Sequence, residues 1–440
     1  MKIWIHGGWV IDPGLLDGRF DILVDRGKII GIFPETSERT PPHKTSGSTP
    51  DHAPDRTINA SGRIVVPGLI DMHVHFREPG QEEKETLETG MAAAARGGFT
   101  SVCTMPNTHP AADSRETVSF VVKKSRANGG TRVYPVGAIT KGLKGEFLCD
   151  YEELRSAGAV AVSDDGMPVM NSLRMRQAME RAKELNLLVI SHSEDLDLAA
   201  GGTMNEGDVS RQMGVRGIPG AAETIGVMRD IALSELTGAR LHIAHVSTAG
   251  SVRAIRDAKD RGVPVTAETA PHYFTLTDRD VLKYGTNAKM NPPLRTDLDR
   301  EAIRRGLSDG TLDVIATDHA PHTPAEKARN FADAPNGIVG LETSLAVSLG
   351  LVRDQCLSMT QLIEKMAVNP ARILGIDNRL TAGNPADITL IDPRAAHRID
   401  AAAFKSKGRN TPFDQWMVTG RAVMTMVAGD IVFEVPTLSE

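Results

Sequence analysis

The sequence has few cysteines, no cluster of basic residues and no long apolar run. Its 3 cysteines (Cys103, Cys149 and Cys356) are far apart in a chain of 440 residues, which argues against a disulfide framework and a CxxC zinc site. Without a Lys/Arg-rich segment, we expect no binding to nucleic acid or to a membrane surface. No apolar stretch approaches the roughly 18 residues that span a bilayer, and residues 1–6 lack the apolar core of a signal peptide. We therefore expect a cytoplasmic protein with reduced thiols.

The length and composition are those of an ordinary soluble globular protein. The chain is 40% hydrophobic and 24% charged, and its formal net charge is only -6, so neither disorder nor a strongly charged partner is indicated. A chain of 440 residues can hold one large domain together with a smaller one.

Residues 63–374 alternate between apolar strands and helices. The predicted strands are 64–72, 100–105, 131–138, 159–163, 187–191, 240–245, 263–269 and 312–317. The apolar residues of 172–186 recur at helical spacing, which predicts a helix with a core-facing stripe. Eight such units predict an α/β fold, a (β/α)8 TIM-type barrel with its active site at the C-terminal ends of the strands. A doubly wound open sheet is the alternative, disfavoured because no G-x-G-x-x-G motif follows the first strand.

Both ends of the chain have the pattern of β structure. Turn residues divide 2–33 into short strands. Strands are also predicted at 387–391, 422–427 and 430–433. We therefore predict a small composite β-sandwich domain from residues 1–62 and 375–440, flanking a catalytic barrel at 63–374. Residues 34–56 are polar and almost without apolar anchors, which predicts a flexible insertion.

Three of the predicted strands end in histidines that can bind a metal. His73 and His75 are two apart at the end of the first strand, so their side chains point the same way. His192 ends the fifth strand and His245 the sixth. Four neutral imidazoles at one rim fit a zinc-type site and suffice for two ions that share ligands. His242 lies three residues before His245, which predicts that it faces the other way and packs against a helix.

The fourth strand ends in Asp164-Asp165-Gly166, which offers a carboxylate to two metals. Two cations a few ångströms apart need an anionic ligand between them. Many barrels of this kind use a carboxylated lysine, but no lysine lies at this strand end. Asp164 or Asp165 is therefore the candidate bridge. Because Asp-Asp-Gly also favours a turn, one aspartate can form the turn while the other binds metal.

Asp318 ends the eighth strand and is the candidate general acid/base. A carboxylate beside a metal-activated water can accept its proton during attack and return it to the leaving nitrogen. The polar residues 323–337 follow at the same rim, and their composition is typical of a mobile loop over the site and equally of an ordinary surface loop.

Four further side chains near strand ends are candidates for substrate contacts. They are Arg77, Asn107, Asn291 and His322. Arg77 lies two residues past His75, so its guanidinium can fork onto a substrate carboxylate. For each of the four, hydrogen bonding within a loop is the alternative.

Two segments resemble the metal motifs of the bacterial type I dihydroorotases. They are residues 71–80 (DMHVHFREPG) and 316–322 (ATDHAPH), the second with Lys327 five residues further on. Other agreeing segments are 105–108, 163–166 and 289–295. The similarity spans essentially residues 1–33 and 57–440, and the polar insertion near 34–56 is the main departure.

The resemblance implies an amidohydrolase-type barrel that reversibly cyclises N-carbamoyl-L-aspartate to L-dihydroorotate in de novo pyrimidine (UMP) biosynthesis. It implies one or two zinc ions per chain, with two favoured, and attack on the ring amide by a hydroxide that bridges the metals. It makes Asp165 the bridge and Asp318 the general acid/base. The implied metal ligands are His73, His75, Asp165, His192, His245 and Asp318.

The resemblance also implies substrate contacts and partners. The substrate carboxylate and its neighbouring groups would meet Arg77, Asn107 and His322. The pyrimidine ring would meet Asn291 and the backbone near Asn336 and Gly337. Some relatives pair with aspartate carbamoyltransferase, which is a candidate partner here, and a homodimer is the expected assembly.

Two other functions compete with this interpretation. Dihydropyrimidinases, hydantoinases and allantoinases usually carry the carboxylated lysine that is missing here. Their substrates are neutral rings, which would leave the charge of Arg77 unpaired. A non-catalytic scaffold for a carbamoyltransferase is the second alternative, and the complete ligand set with Asp318 argues against it.

Overall fold

The computed structural model describes residues 1–35 and 53–436. In these ranges the strands, in chain order, are β1 (Lys2–Asp12), β2 (Leu16–Asp25), β3 (Lys28–Pro34), β4 (Arg56–Asn59), β5 (Ile64–Pro67), β6 (Leu69–Val74), β7 (Phe99–Thr104), β8 (Arg132–Ala138), β9 (Ala161–Ser163), β10 (Leu188–Ser191), β11 (Met204–Asn205), β12 (Gly217–Ile218), β13 (Leu241–Ile243), β14 (Val265–Thr269), β15 (Val314–Ile315), β16 (Ile388–Arg398), β17 (Met417–Val427) and β18 (Asp430–Glu434).

The helices of the same ranges lie mostly between the strands of residues 69–315. In chain order they are α1 (Leu87–Gly97), α2 (Arg115–Asn128), α3 (Tyr151–Ala157), α4 (Ser172–Glu184), α5 (Leu196–Ala199), α6 (Asp208–Met213), α7 (Gly220–Thr237), α8 (Ala249–Asp260), α9 (Pro271–Thr275), α10 (Val281–Tyr284), α11 (Asp297–Ser308), α12 (Pro324–Lys327), α13 (Ser344–Arg353), α14 (Met359–Ile363) and α15 (Asn369–Leu374). Within the described ranges, none of them is both long and apolar enough to cross a membrane.

Eight parallel strands form the barrel, in the order β6-β7-β8-β9-β10-β13-β14-β15. A parallel bridge between Val74 and His319 joins β6 to the segment after β15, so the two edges of the sheet meet. The backbone N–H of His75 also donates to the His319 carbonyl at 2.8 Å. The predicted (β/α)8 barrel is confirmed, and its first and last strands meet beside the predicted ligands.

Local sequence sets where the elements around the barrel begin and end. The side chain of Thr86 accepts the Thr89 N–H and starts α1, and Gly98 ends it in the left-handed conformation at φ 94°. The chain then enters β7 at Phe99. Helix α4 has the predicted apolar stripe, because Met175 and the other core-facing residues of the helix are buried.

The two ends of the chain form a second sheet. Its order is β18-β17-β16-β5-β1-β2-β3, and β4 also pairs with β1. Apolar side chains from both termini meet in its core, including Ile3, Ile22, Ile388 and Met424, which are all fully buried. The predicted composite β structure is therefore present, with strands of up to 11 residues where the sequence indicated short ones.

The apolar run predicted as one strand at 64–72 is two strands in different sheets, so this prediction was wrong. Strand β5 pairs with β1 and β16 in the terminal sheet, and β6 opens the barrel. Gly68 separates them. Its N–H donates to the Asp387 carbonyl at 2.9 Å, and a Cβ at this position would collide with the Thr100 side chain. The terminal sheet therefore extends to Pro67, beyond the predicted boundary at residue 62.

Two other predicted segments differ in extent. The eighth strand, predicted at 312–317, is confined to Val314–Ile315, so Asp318 lies in the loop beyond it. The predicted insertion at 34–56 falls mostly on residues 36–52, which lie outside the described ranges. Its last residue, Arg56, begins strand β4.

Candidate metal centre

The predicted ligands converge at the C-terminal end of the barrel. His73, His75 and Asp165 form one group of possible ligands, and Asp165, His192 and His245 form a second. Within each group the ligand atoms lie within 4.8 Å of one another. All five residues are buried. Asp165 belongs to both groups, which is the position that a bridging carboxylate requires.

The distances around Asp165 leave space for cations between its oxygens and the imidazoles. Its Oδ1 lies 3.3 Å from Nε2 of His73, 3.6 Å from Nδ1 of His192 and 3.5 Å from Nε2 of His245. Its Oδ2 lies 3.5 Å from Nε2 of His75. Zinc bonds to nitrogen and oxygen are about 2.0–2.2 Å long. A cation between these atoms would reach both sides with small adjustments.

Two of these atoms are buried without a hydrogen-bond partner. They are Nε2 of His73 and Oδ1 of Asp165, which face each other. Buried polar atoms normally have a hydrogen-bond partner, so a buried nitrogen and a buried oxygen that face each other without one need an explanation. Imidazole and carboxylate are the ligand types of zinc and related divalent ions. The residues present therefore fit a metal.

Asp318 lies on the side of the first group. Its Oδ1 is 3.1 Å from Nε2 of His75 and 3.7 Å from Nε2 of His73. Burial by itself would raise the pKa of Asp318, but the hydrogen bond from His75 and the charge of His73 outweigh it and hold this pKa below its ordinary value. Asp318 is thus an ionised carboxylate at the centre, in reach of a ligand position.

The neighbouring aspartates have different surroundings. Asp164 Oδ1 accepts the backbone N–H groups of Ile139 and Thr140 at 2.8 and 3.0 Å, and its Oδ2 accepts the Thr140 hydroxyl. Asp164 therefore fastens the chain after β8, while Asp165 faces the histidines. One aspartate therefore faces the histidines, as the sequence allowed, whereas the side chain of the other binds the segment after β8 and not its own turn.

His242 and Glu268 form a buried pair behind His73. Glu268 Oε1 lies 2.7 Å from Nδ1 of His73, and its Oε2 lies 3.2 Å from Nε2 of His242. The prediction that His242 packs against a helix was therefore wrong. Strand β13 ends at Ile243, and His245 lies in the loop with a φ of 34°, so the alternation of a strand does not relate the two histidines.

The other ligand histidines also have polar neighbours. Nδ1 of His75 lies 2.8 Å from Oδ1 of Asn107, so this predicted substrate residue contacts a ligand. Nε2 of His192 lies 3.5 Å from Glu194, and Asn291 donates to the same Glu194 oxygen at 3.0 Å. Such partners fix the tautomer and orientation of a metal-binding imidazole.

Glu194 and Glu268 were not among the residues predicted from the sequence, although each carries a signal. Glu194 lies two residues after His192, the same spacing that relates His73 and His75. Glu268 is an acidic residue inside the predicted strand at 263–269, and an acidic side chain in a barrel strand needs a buried partner.

Arg77 and His322 lie next to each other at the rim. Nε of Arg77 donates to the Pro321 carbonyl at 3.3 Å, and Nη2 lies 3.4 Å from Nε2 of His322. Among the described residues no carboxylate lies within 4.0 Å of the Arg77 guanidinium. Nε2 of His322 donates to the Asn336 carbonyl at 2.7 Å. Arg77 therefore has hydrogen-bonding capacity left for an anion.

The charges of the centre are strongly coupled. Burial lowers the pKa of His73, but Asp165 and Glu268 more than offset this and raise it well above its ordinary value. For His192, hydrogen bonds to Asp165 and Glu194 outweigh burial and raise the pKa to about 10. A bound cation would replace such protons, because metals bind the deprotonated ligand.

The sequence is similar to curated dihydroorotases over almost its whole length. It is 55% identical over 434 residues to the dihydroorotase of Desulforapulum autotrophicum, covering 99% of each chain. It is 50% identical over 436 residues to that of Syntrophus aciditrophicus, covering 99% of this chain and 100% of the relative. The family model described as Dihydro-orotase-like matches residues 62–251, and that of the amidohydrolase family matches 221–433.

The fold is shared with hydantoinases and a dihydropyrimidinase of solved structure. The L-hydantoinase (dihydropyrimidinase) of Arthrobacter aurescens superimposes with a TM-score of 0.86 at 27% identity, covering 98% of this chain and 96% of that one. The dihydropyrimidinase of Brevibacillus agri gives a TM-score of 0.80 at 25% identity, covering 99% and 95%.

Proposed function

The chain belongs to the dihydroorotase family, and on this basis we propose that it catalyses the reversible cyclisation of N-carbamoyl-L-aspartate to L-dihydroorotate. The chain is a metal-dependent cyclic amide hydrolase of the amidohydrolase group. The reaction that we propose makes or breaks one ring amide and is a step of pyrimidine biosynthesis.

The observation that carries the substrate assignment is the position of Arg77. Its guanidinium is half-buried at the rim, next to His322. It has no carboxylate partner among the described residues. A site that holds such a cation favours a ring with a carboxylate and penalises neutral rings, which leave the charge unpaired. L-Dihydroorotate has that carboxylate, whereas hydantoin, dihydrouracil and allantoin do not.

We further propose zinc as the metal, with two ions per chain. His73, His75 and Asp318 would hold one ion, and His192 and His245 the other. Asp165 would lie between them, because its carboxylate belongs to both ligand groups. When bound, divalent ions polarise the amide carbonyl and lower the pKa of a water molecule toward neutrality, which supplies the nucleophile.

The side chains of the protein then bind the substrate and move a proton. We propose that Arg77 and His322 hold the substrate carboxylate, while Asn291 and the backbone of Asn336 and Gly337 contact the ring. Asp318 takes up the proton of the attacking water and delivers it to the ring nitrogen as the amide opens. In the direction of cyclisation the carbamoyl nitrogen attacks the carboxylate carbon, and Asp318 transfers the proton of that nitrogen to the carboxylate oxygen, which leaves as hydroxide.

Asn107 has two roles in this proposal. Its Oδ1 accepts from Nδ1 of His75 at 2.8 Å, which turns Nε2 toward the metal position. Its Nδ2 lies 3.4 Å from Asp165 Oδ2 and remains available to a substrate oxygen at the rim. The contact with His75 supports an orienting role in addition to the substrate contact that the resemblance implies.

The domain bounds, cellular location, assembly and partner of the enzyme are proposed as follows. From the sequence we placed the catalytic barrel at 63–374 and the β domain at 1–62 with 375–440, and because Ile64–Pro67 pairs in the terminal sheet, we propose to move the boundary to Gly68. We also propose a cytoplasmic location and a homodimer. Aspartate carbamoyltransferase is the proposed protein partner, since it produces the N-carbamoyl-L-aspartate that this reaction consumes.

The test is turnover of both substrates by the purified protein. Ring opening of L-dihydroorotate and ring closure of N-carbamoyl-L-aspartate are measured with zinc-loaded protein and with protein stripped by a chelator. We expect turnover in both directions that is lost on stripping and restored by zinc. Zinc-loaded protein that turns over neither substrate, alone or with aspartate carbamoyltransferase, would contradict the proposal.

A further inference from the structure

Two buried lysines near the candidate site have no acidic partner. Lys289 is 4% exposed and Lys327 is 7% exposed. Lysine is almost never fully buried unless it is paired. Among the described residues no carboxylate lies within 4.0 Å of either ammonium group. Their charges must be satisfied in another way.

Both ammonium groups bind carbonyl oxygens of one short segment, residues 331–337, which we call the rim loop. Nζ of Lys289 donates to three of these carbonyls and Nζ of Lys327 to two. The acceptors are Phe331, Ala332 and Ala334, at 2.6, 2.9 and 2.6 Å, and Pro335 and Gly337, both at 3.0 Å. An ammonium has three N–H donors, which matches the three carbonyls around Lys289.

The rim loop ends against the candidate substrate residues. The Asn336 carbonyl accepts from Nε2 of His322 at 2.7 Å, and the Gly337 N–H donates to the Lys289 carbonyl at 2.9 Å. Asn410 donates to the Gly337 carbonyl at 3.0 Å. The backbone of Lys289 and its side chain thus hold the same loop at two points.

The fit at the end of the loop is close. Gly337 has a φ of 121°, and a Cβ there would lie 2.6 Å from the Cβ of Ala320. Only glycine is compatible with this conformation and this approach. A small displacement of the rim loop would therefore separate Asn336 from His322 and change the surface that the substrate meets.

Lys289 also connects the rim loop to the metal side of the site. It is followed by Met290 and Asn291, and the Asn291 side chain donates to Glu194, a neighbour of His192. One segment of the chain thus fixes both the rim loop and the amide that faces a ligand histidine. Lys327 fastens the opposite part of the loop, at the end of helix α12.

We propose that Lys289 and Lys327 are positioning residues for substrate binding, which act by fastening the rim loop so that Asn336 and Gly337 face the substrate. The inference rests on the proposed function, because it takes the rim loop backbone as part of the substrate site. Neither lysine contacts the ligand groups of the metal centre, so their loss should change binding of the substrate more than the chemical step.

The test uses the full-length, zinc-loaded protein with Lys289→Met and Lys327→Met, which keep the length of the side chain and remove the donor. We expect KM for L-dihydroorotate to rise by about ten-fold or more in each variant, while kcat stays within about three-fold. Zinc content should not change. The matched control is Lys283→Met, because Lys283 is an exposed lysine of α10.

Proteolysis gives a second measurement that does not need the substrate. Arg329 is exposed two residues before the rim loop. Trypsin cleavage after Arg329 can be followed by mass spectrometry. Cleavage after Arg329 should be about ten-fold faster in both methionine variants than in the wild type and in Lys283→Met. L-Dihydroorotate should slow this cleavage in the wild type.

Three results would overturn the inference. They are an unchanged KM, an unchanged rate of cleavage after Arg329, and a parallel loss of kcat and zinc that points to general disruption. If the methionine variants do not fold, Lys289→Gln and Lys327→Gln, whose shorter side chains carry fewer N–H donors, should show smaller rises in KM and in the cleavage rate, and no rise in either would overturn the inference. Absence of dihydroorotate turnover in the wild type counts against the proposed function alone, because the cleavage rates still test the fastening.

Discussion

The Glu268 carboxylate lies 2.7 Å from Nδ1 of His73, on the side of the ring that faces away from Asp165. An imidazole that donates from Nδ1 presents the lone pair of Nε2 to a metal. The hydrogen bond therefore selects the tautomer that a ligand needs. His242 holds the second oxygen of Glu268 at 3.2 Å, so the carboxylate itself has little freedom to turn.

We predict that Glu268→Gln weakens metal binding by about 10- to 100-fold, because the amide cannot accept from both histidines. Competition with a chromogenic chelator measures the affinity directly. Glu342→Gln is the matched control, since Glu342 accepts from the backbone of Lys405 and Ser406 and contacts none of the candidate ligands. Equal affinities of Glu268→Gln and wild type would show that Glu268 does not orient His73.

The two adjacent aspartates should separate metal binding from stability. Asp165→Ala should lose bound zinc and activity, and the metal-free variant also loses the interactions of Asp165 with His73 and His192, so zinc content is the property that distinguishes it. Asp164→Ala should keep zinc but lose about 1–3 kcal/mol of stability, because the Thr140 N–H loses its acceptor, whereas the Ile139 N–H can still donate to the Ser163 carbonyl. Metal analysis and thermal unfolding of both variants test this. The bridge assignment fails if both variants retain zinc alike.

Arg77 should act on the substrate and not on the metal. We expect Arg77→Met to lower kcat/KM for L-dihydroorotate by about 100-fold or more, as a charged hydrogen-bonding partner of the carboxylate is lost. Arg77→Lys should restore little of it, because an ammonium cannot reproduce the planar fork. Zinc content is measured in parallel. Full activity of Arg77→Lys would contradict the fork geometry.

Asp71 should make stability depend on pH. It is fully buried, and burial raises its pKa to about 7 although it accepts from the backbone of His73 and Thr317. In the unfolded chain it ionises near 3.8. Its proton therefore favours the folded state at low pH, and this contribution is lost as the pH rises through about 7.

Asp71→Asn cannot ionise and serves as the comparison. Its free energy of unfolding minus that of the wild type should increase by at least about 1 kcal/mol between about pH 5 and pH 8. Urea unfolding of matched samples at both pH values gives this difference. A difference that is the same at both pH values would mean that Asp71 is already ionised in the fold at pH 5.

The sequence allowed prediction of the barrel and of the residues that converge in it, because strand ends of a barrel share one rim. Alternation and turn chemistry indicated that His73 and His75 point the same way and that the aspartates after β9 are candidates, but the choice of Asp165 over Asp164 came only from the family resemblance. The apolar run 64–72 was misassigned because hydrophobicity does not show that the chain leaves one sheet and enters another at Gly68.

The contacts between the metal ligands and the residues behind them could not be predicted from the sequence, for a different reason. Glu268 meets His73 across 195 residues of chain, and only the closed barrel brings them together. The orientation of His242 depends on where β13 ends, a boundary that periodicity does not fix. Lys289 and Lys327 lie in segments that resemble the family, but the carbonyls of the rim loop that they bind are visible only in the structure.

The central claim is that the site selects a cyclic amide with a carboxylate. Its most direct test compares kcat/KM of the zinc-loaded protein for L-dihydroorotate, hydantoin, dihydrouracil and allantoin under identical conditions. We predict that L-dihydroorotate is preferred over each neutral ring by at least about 100-fold. Equal or faster turnover of a neutral ring would contradict the carboxylate role of Arg77 and the substrate assignment, while the barrel and its metal centre would stand.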